Sequence, residues 1–217
     1  MIDLHTHTTF SDGELIPSEL ARRAAKAGYR AMAMTDHADL SNLYLILENM
    51  RRFVDETAPY LDIGVAAGVE LTHVPPPLIP GLIAQARQAG AELVVVHGET
   101  IVEPVAQGTN LAAIEGGADI LAHPGLITED EARLAANNGV FLEISTRKGH
   151  SLTNGHVAVM ARLTGAKLLI NNDAHGPQDI ISQDLRRKVA LGAGLSPEEY
   201  QQAEANARDI FTKLLTG

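Results

Sequence analysis

Leu93-Val94-Val95-Val96-His97 is an apolar run too short for a helix, and it ends on an imidazole. Short apolar runs bounded by turn residues suit strands buried on both faces. Others fall at Ile2-Asp3-Leu4, Ala31-Met32-Ala33-Met34, residues 63–69, Ile120-Leu121-Ala122, residues 140–144 and residues 168–170. Just past these runs stand His5, His7 and, in the following loop, Asp12; then Asp36-His37; Glu70; His97; His123 in Ala122-His123-Pro124-Gly125; and Asp173-Ala174-His175. Six of the nine histidines therefore sit at expected strand ends. In parallel α/β folds the carboxyl ends of the strands share one face, where active sites are built.

Helical patterns fill the gaps. Residues 17–27 place Leu20, Ala21, Ala24 and Ala25 on one face, with Pro17 in the first turn and Gly28 as the stop. Residues 43–57 form a second pattern, and residues 80–89 a third that ends at Gly90. Thr128-Glu129-Asp130-Glu131 and Ser196-Pro197-Glu198-Glu199 read as capping boxes, the latter opening a final helix to about Leu215. Strand–helix alternation predicts a parallel sheet of about seven units. A small barrel and an open doubly wound sheet both fit, and periodicity does not choose between them. No repeat or linker divides residues 1–217, so a single domain is expected.

Composition narrows the chemistry. With 45% apolar residues the chain of 217 can build a core, and with 4% aromatics Val, Ile, Leu and Ala must fill it. The formal charge of −10 disfavours anionic membranes and stable nucleic-acid binding. An anionic substrate remains open, because bound cations reverse the local sign. The absence of cysteine excludes disulfides, zinc knuckles and thiol catalysis. No signal peptide or membrane-length apolar stretch is evident, so a cytoplasmic protein is expected.

Histidines and carboxylates without cysteine suit zinc, manganese or iron. His5-x-His7 puts two imidazoles on the same side of an extended chain, and Asp173-x-His175 repeats that logic. Unliganded, such a buried cluster is costly to desolvate. His73, His150 and His156 fall outside the pattern and read as exposed loop histidines. Asp36 reads as a supporting partner of its neighbour His37. No Gly-rich phosphate loop is present. Extra positive charge for a substrate is therefore sought in Arg147 and Lys148, past the sixth run, with a solvated loop as the plain alternative.

Asp3-Leu4-His5-Thr6-His7 with Ser11-Asp12-Gly13 resembles the opening motif of the PHP (polymerase and histidinol phosphatase) family. Thr35-Asp36-His37, Gly68-Val69-Glu70, His97, His123-Pro124 and Asp173-Ala174-His175 resemble its later motifs in order. The resemblance implies a distorted (β/α)7 barrel carrying two or three divalent ions, Zn, Mn or Fe. It assigns His5, His7, Glu70 and Asp173 to one ion, and Glu70, as a bridge, with His97 and His123 to a second. Asp12, His37 and His175 would hold a third, with Asp12 standing where family members often have His. It further implies hydrolysis of a small phosphorylated substrate by water activated between the ions, with Glu70, His37 and His175 catalytic. A phosphatase for a histidinol phosphate-like or nucleotide substrate, an exonuclease or phosphodiesterase acting on nucleotides, an amidohydrolase-type C–N hydrolase, a non-catalytic polymerase domain and a metal-storage protein are the readings to separate. Oligomeric state is not legible.

Overall fold

The computed structural model describes residues 1–214. Seven parallel strands form one curved sheet in the order β1 (Ile2–Asp3), β2 (Ala31–Met34), β4 (Gly64–Leu71), β5 (Leu93–His97), β6 (Ile120–Ala122), β7 (Phe141–Ser145) and β8 (Leu168–Asn171). The two edges meet. Leu4 N–H donates to Asn171 Oδ1 (3.0 Å), Asn172 N–H to Asp3 Oδ1 (3.1 Å) and His7 N–H to Ala174 O (2.8 Å). These contacts close the sheet into a distorted (β/α)7 barrel and exclude the open sheet. Helices α1 (Pro17–Lys26), α2 (Leu43–Glu56), α3 (Ile79–Gln88), α4 (Thr109–Glu115), α5 (Glu129–Asn138), α6 (Asn154–Thr164), α7 (Gln183–Gly192) and α8 (Pro197–Leu214) complete the chain.

Strand periodicity sorts the core into two shells. Met32, Met34, Val65, Val69, Val94, Val96, Leu121, Leu142 and Ile170 point outward and pack under the helices. Leu4, Ala31, Ala33, Ala66, Leu93, Val95, Ile120, Ala122 and Leu169 fill the interior, where Ala207 and Phe211 of α8 join them. Phe211 fits because β4 begins with glycine: a Cβ on Gly64 would stand 2.8 Å from its ring. Alanines narrow the inner shell, as a small barrel requires.

A second buried polar group clasps the seam from outside. Arg186 of α7 is fully buried. Its Nε donates to Glu204 of α8 at 2.7 Å, and one Nη2 donates to the carbonyls of Ile2 (2.8 Å) and Ile170. One guanidinium thus joins both helices to both seam strands.

The capping boxes form as expected. Thr128 and Glu131 satisfy each other's backbone donors at α5, and Ser196 and Glu199 do so ahead of α8. Leu215, the expected end of α8, lies outside the described residues. Three helices and one strand were not expected. Helix α4 has only 7 residues, too few to show a periodic stripe. Helix α6 carries a mixed sequence, and α7 buries Arg186, which breaks an apolar pattern. The added strand, β3 (His37–Ala38), pairs with the end of β4, which runs two residues beyond the expected 63–69. Among the described residues no helix is long and apolar enough to cross a membrane.

Candidate metal centre

The inward positions of the strands change character toward their carboxyl ends. Leu93 and Val95 are followed by His97, Ala66 and Gly68 by Glu70, and Leu169 by Asn171 and then Asp173. The barrel therefore has an apolar floor and an imidazole–carboxylate mouth. Register places partners beside each other. Strand β4 pairs with β2 through Ala67 and then with β3, setting His37 directly against Glu70. The turn after β1 is tight enough to need glycine, because a Cβ on Gly13 would stand 2.5 Å from His7 O. Asp36 holds that turn by accepting from Thr8 N–H (2.7 Å), Thr8 Oγ1 (2.8 Å) and Ser11 Oγ (2.7 Å). Asp36 is thus a supporting residue, but through the loop that carries Asp12 rather than through His37.

Every residue expected to ligate metal lies at this mouth. His5 Nε2 is 3.3 Å from Glu70 Oε1 and 3.7 Å from Asp173 Oδ1. His7 Nε2 is 3.2 Å from Asp173 Oδ1 and 3.7 Å from Glu70 Oε2. His123 Nε2 approaches Glu70 Oε1 and Asp173 Oδ2 at 3.7 and 3.6 Å. Asp12 Oδ1 lies 3.1 Å from His175 Nε2 and 3.5 Å from His37 Nε2. Glu70 turns one oxygen toward His5 and His123 and the other toward His7 and His37, with His37 Nδ1 at 2.6 Å.

Four-residue and three-residue sets with donor atoms mutually within 4.8 Å include His7, Asp12, His37 and His175, and His5, His7 and Glu70. The decisive test of fit is the hydrogen-bond account. His5 Nε2, both ring nitrogens of His7, Glu70 Oε1 and His123 Nδ1 are buried without any hydrogen-bond partner. Native interiors rarely leave such groups unpaired. Here the unpaired His5 Nε2 faces the unpaired Glu70 Oε1 at 3.3 Å and the unpaired His7 Nε2 faces Asp173 Oδ1 at 3.2 Å, the spacing of donors around a shared cation.

Electrostatics agree. Burial pushes His5 down, but the carboxylates of Glu143, Glu70 and Asp173 outweigh it and hold its pKa well above the ordinary value. Burial pushes Glu70 up, yet His5 and His37 hold it well below the carboxylate range. Burial first, then neighbouring imidazoles, hold His7 and His123 well below the ordinary histidine value. Asp173 is pushed up to about 7, mainly by burial. The backbone is also forced. His123 and Asp173 have φ of +27° and +53°, which costs on the order of 1–3 kcal/mol each for non-glycine residues.

Several participants escaped the sequence reading. Glu143, fully buried inside β7, accepts from His5 Nδ1 at 2.8 Å and from Asn171 Nδ2 at 3.0 Å, fixing the ring so that Nε2 faces the centre. Such a partner sets the tautomer of a metal-ligating histidine. Thr72 Oγ1 lies 2.7 Å from His37 Nδ1. His150 is not an exposed loop residue: it is 4% exposed and stacks on His123 with ring centroids 4.0 Å apart. His156 is half-buried, its Nε2 2.7 Å from Ile127 O, away from the mouth. His73 is exposed, as expected, but its Nε2 lies 3.5 Å from Glu103. Arg147 lines the pocket of about 250 Å³ over the cluster, where Nη1 donates to Asp173 O at 3.0 Å and touches His175 Nδ1. Lys148 is exposed and does not line that pocket.

A parallel barrel with converging imidazoles and carboxylates at the carboxyl ends of its strands defines a metal-binding α/β barrel. The PHP domain model matches residues 3–97. Uncharacterized protein MJ1295 of Methanocaldococcus jannaschii is 52% identical over 201 residues, covering 92% of each chain. The chain belongs to the PHP family. Ribonuclease P protein component 3 of Methanosarcina barkeri is 29% identical over 88% of this chain and 80% of that protein. Among solved structures, a chain of archaeal ribonuclease P with mature tRNA superposes with a TM-score of 0.72 at 17% identity, over 99% of this chain and 91% of that one. Histidinol phosphate phosphatase from Lactococcus lactis, complexed with zinc, L-histidinol and phosphate, gives 0.58 at 16% identity, over 90% and 94%. At these identities the structural likenesses establish the fold alone.

Proposed function

We propose that this chain is a metal-dependent phosphoesterase acting on a small phosphorylated substrate. The observation that carries the reading is the set of buried, unpaired imidazole and carboxylate atoms of His5, His7 and Glu70 converging with Asp173 at the mouth. Divalent ions held there would act as Lewis acids, lowering the pKa of a coordinated water and offsetting phosphoryl charge. His5, His7, Glu70 and Asp173 suit one ion, Glu70 with His97 and His123 a second, and Asp12, His37 and His175 a third.

The protein's own groups have separable tasks. Glu70 lies between the ligand sets and can serve two ions with its two oxygens. Asp173, strained and buried, can do so from the other side. Glu143 and Asn171 keep the His5 ring from rotating. His175 Nδ1 faces both Asp173 O (3.0 Å) and Arg147. A ring holding an ion through Nε2 carries its proton on Nδ1 and donates to Asp173 O, which frees Arg147 to bind a phosphoryl group. Its planar fork suits two phosphoryl oxygens.

Zinc and phosphate in the Lactococcus lactis phosphatase structure support the reaction class, since that protein shares the fold. The pocket's size favours a small ester. No lysine lines it among the described residues, which speaks against an amidohydrolase centre bridged by lysine. The ribonuclease P likeness favours a second reading, an RNA-bound structural role. The charge of −10 and the assembled ligand set weigh against it. A panel of phosphomonoesters and dinucleotides assayed with Mn, Zn and Fe separates the two. Metal-dependent release of phosphate supports the enzyme. Inertness toward every ester, with tight tRNA binding, supports the structural role.

A further inference from the structure

The loop joining β5 to α4, residues 98–108, crosses the mouth on a fixed base. Gly98 N–H donates to Ala122 O at 3.0 Å. The Glu99 carboxylate accepts from Gly108 N–H (2.9 Å) and Asn110 N–H (3.0 Å). Gly125 seats the loop against its neighbour, since a Cβ there would lie 1.8 Å from Glu99 O. From this base Glu103 reaches back into the pocket with its side chain 38% exposed. Its Oε2 lies 3.0 Å from His97 Nε2 and 3.5 Å from His73 Nε2, and its Oε1 3.4 Å from His150 Nε2.

His150 is aimed by a separate contact. Thr100 Oγ1 lies 2.9 Å from its Nδ1, so Nε2 faces Glu103 and Asp173. His73 is aimed by a left-handed backbone, φ +52°. Donor atoms of His97, His123 and His150 lie mutually within 4.8 Å, as do those of His73, His97 and Glu103. The family resemblance assigns neither His150 nor Glu103 to a metal. Glu103 and His73 from the surface and His150 from the interior thus reach the same face of His97 from three separate segments.

We infer that His150 and Glu103 complete the second ion position, and that Glu103 is its exchangeable ligand, yielding its place to a substrate phosphoryl oxygen. Carboxylate and phosphoryl oxygens are alike hard anionic donors, so one can replace the other without changing the ion's preferred ligand type. Glu103 is the half-exposed member of the set, on a loop, whereas His97, His123 and His150 are buried and held. The ligation stands by itself; the exchange rests on the phosphoesterase reading.

The test is stepwise cobalt(II) titration of the metal-stripped full chain, followed by its visible absorption, in wild type, Glu103→Gln and His150→Gln. Both variants should weaken the same one of the bound ions by about tenfold or more and change its spectrum, leaving the others as in wild type. Inorganic phosphate should then bind severalfold more tightly to cobalt-loaded Glu103→Gln, its internal competitor being gone. Titrations and spectra identical to wild type would overturn the ligation. A weakened ion with unchanged or lower phosphate affinity would overturn the exchange. If the variants weaken the ion while wild type hydrolyses no ester, the ligation holds and the phosphoesterase reading fails.

Discussion

Arg186 and Glu204 at the seam, and His5, Glu70 and Asp173 at the mouth, are all buried charged groups, yet their surroundings differ in kind. At the seam a cation meets an anion, and Arg186 gives further hydrogens to two strand carbonyls. At the mouth carboxylates and imidazoles converge on one another, and His5 Nε2, both ring nitrogens of His7 and Glu70 Oε1 are left without hydrogen-bond partners. The first arrangement pairs its opposite charges within the chain and ties strands to helices, leaving only Nη1 of Arg186 without a partner there. The second becomes complete when cations are added. Burial of charge therefore does not by itself mark a functional site; the sign and pairing of the partners do.

The largest expected effect separates the two clusters directly. Glu70→Ala should lower activity by on the order of 10³-fold at saturating metal, because one carboxylate serves two positions. The fold should survive, as judged by circular dichroism. Normal turnover would remove Glu70 from the site. Arg186→Met should do the reverse, destabilising the protein by about 3 kcal/mol in urea unfolding, since it leaves Glu204 buried and unpaired. Metal stoichiometry of the folded fraction should not change. Loss of metal without loss of stability would mean that the seam belongs to the site.

Arg147→Ala should raise KM for monoesters about tenfold, equal to about 1.4 kcal/mol, with metal content unaltered. Unaltered monoester kinetics would leave phosphate to the ions alone. The smallest effect is in protons. His5 is held well above its ordinary pKa in the metal-free chain, so it carries a proton near neutrality that an incoming ion must expel. Metal affinity should accordingly rise with pH through neutrality, and calorimetry in buffers of different ionisation heat should register at least one proton released per chain at pH 7. His7 and His123, held well below their ordinary value, contribute none there. No release at pH 7 would argue that His5 is not a ligand.

Much of this was legible in the sequence because ligands placed just past strand ends are visible whenever the strands are. His5, His7, His37, His97, His123 and His175 are such cases. Glu143 was not, since it lies inside β7, one inward position before Ser145, and the signal that could have found it was a carboxylate at an inward position of a buried strand. Glu103 lies on a loop and His150 opens a single helical turn, His150–Thr153, neither of which periodicity encodes, so only the folded backbone brings them to His97. For the fold, alternation gave the parallel sheet, but its closure depended on contacts across the seam that local patterns do not contain.

That closure also orders events during synthesis. Leu4 bonds to Asn171 and Asn172 to Asp3, partners 167 and 169 positions apart. His5 and His7 emerge from the ribosome before every strand from β2 to β8, while Asp173 and His175 follow β8. The first ligand pair must therefore wait, unassembled, while the strands between are made, and contacts of such long range form slowly. The full set of positions is consequently available only once residue 175 has been made, and a nascent chain truncated before residue 173 holds His5, His7, Glu70 and the other imidazoles without the carboxylate and closing strand that gather them.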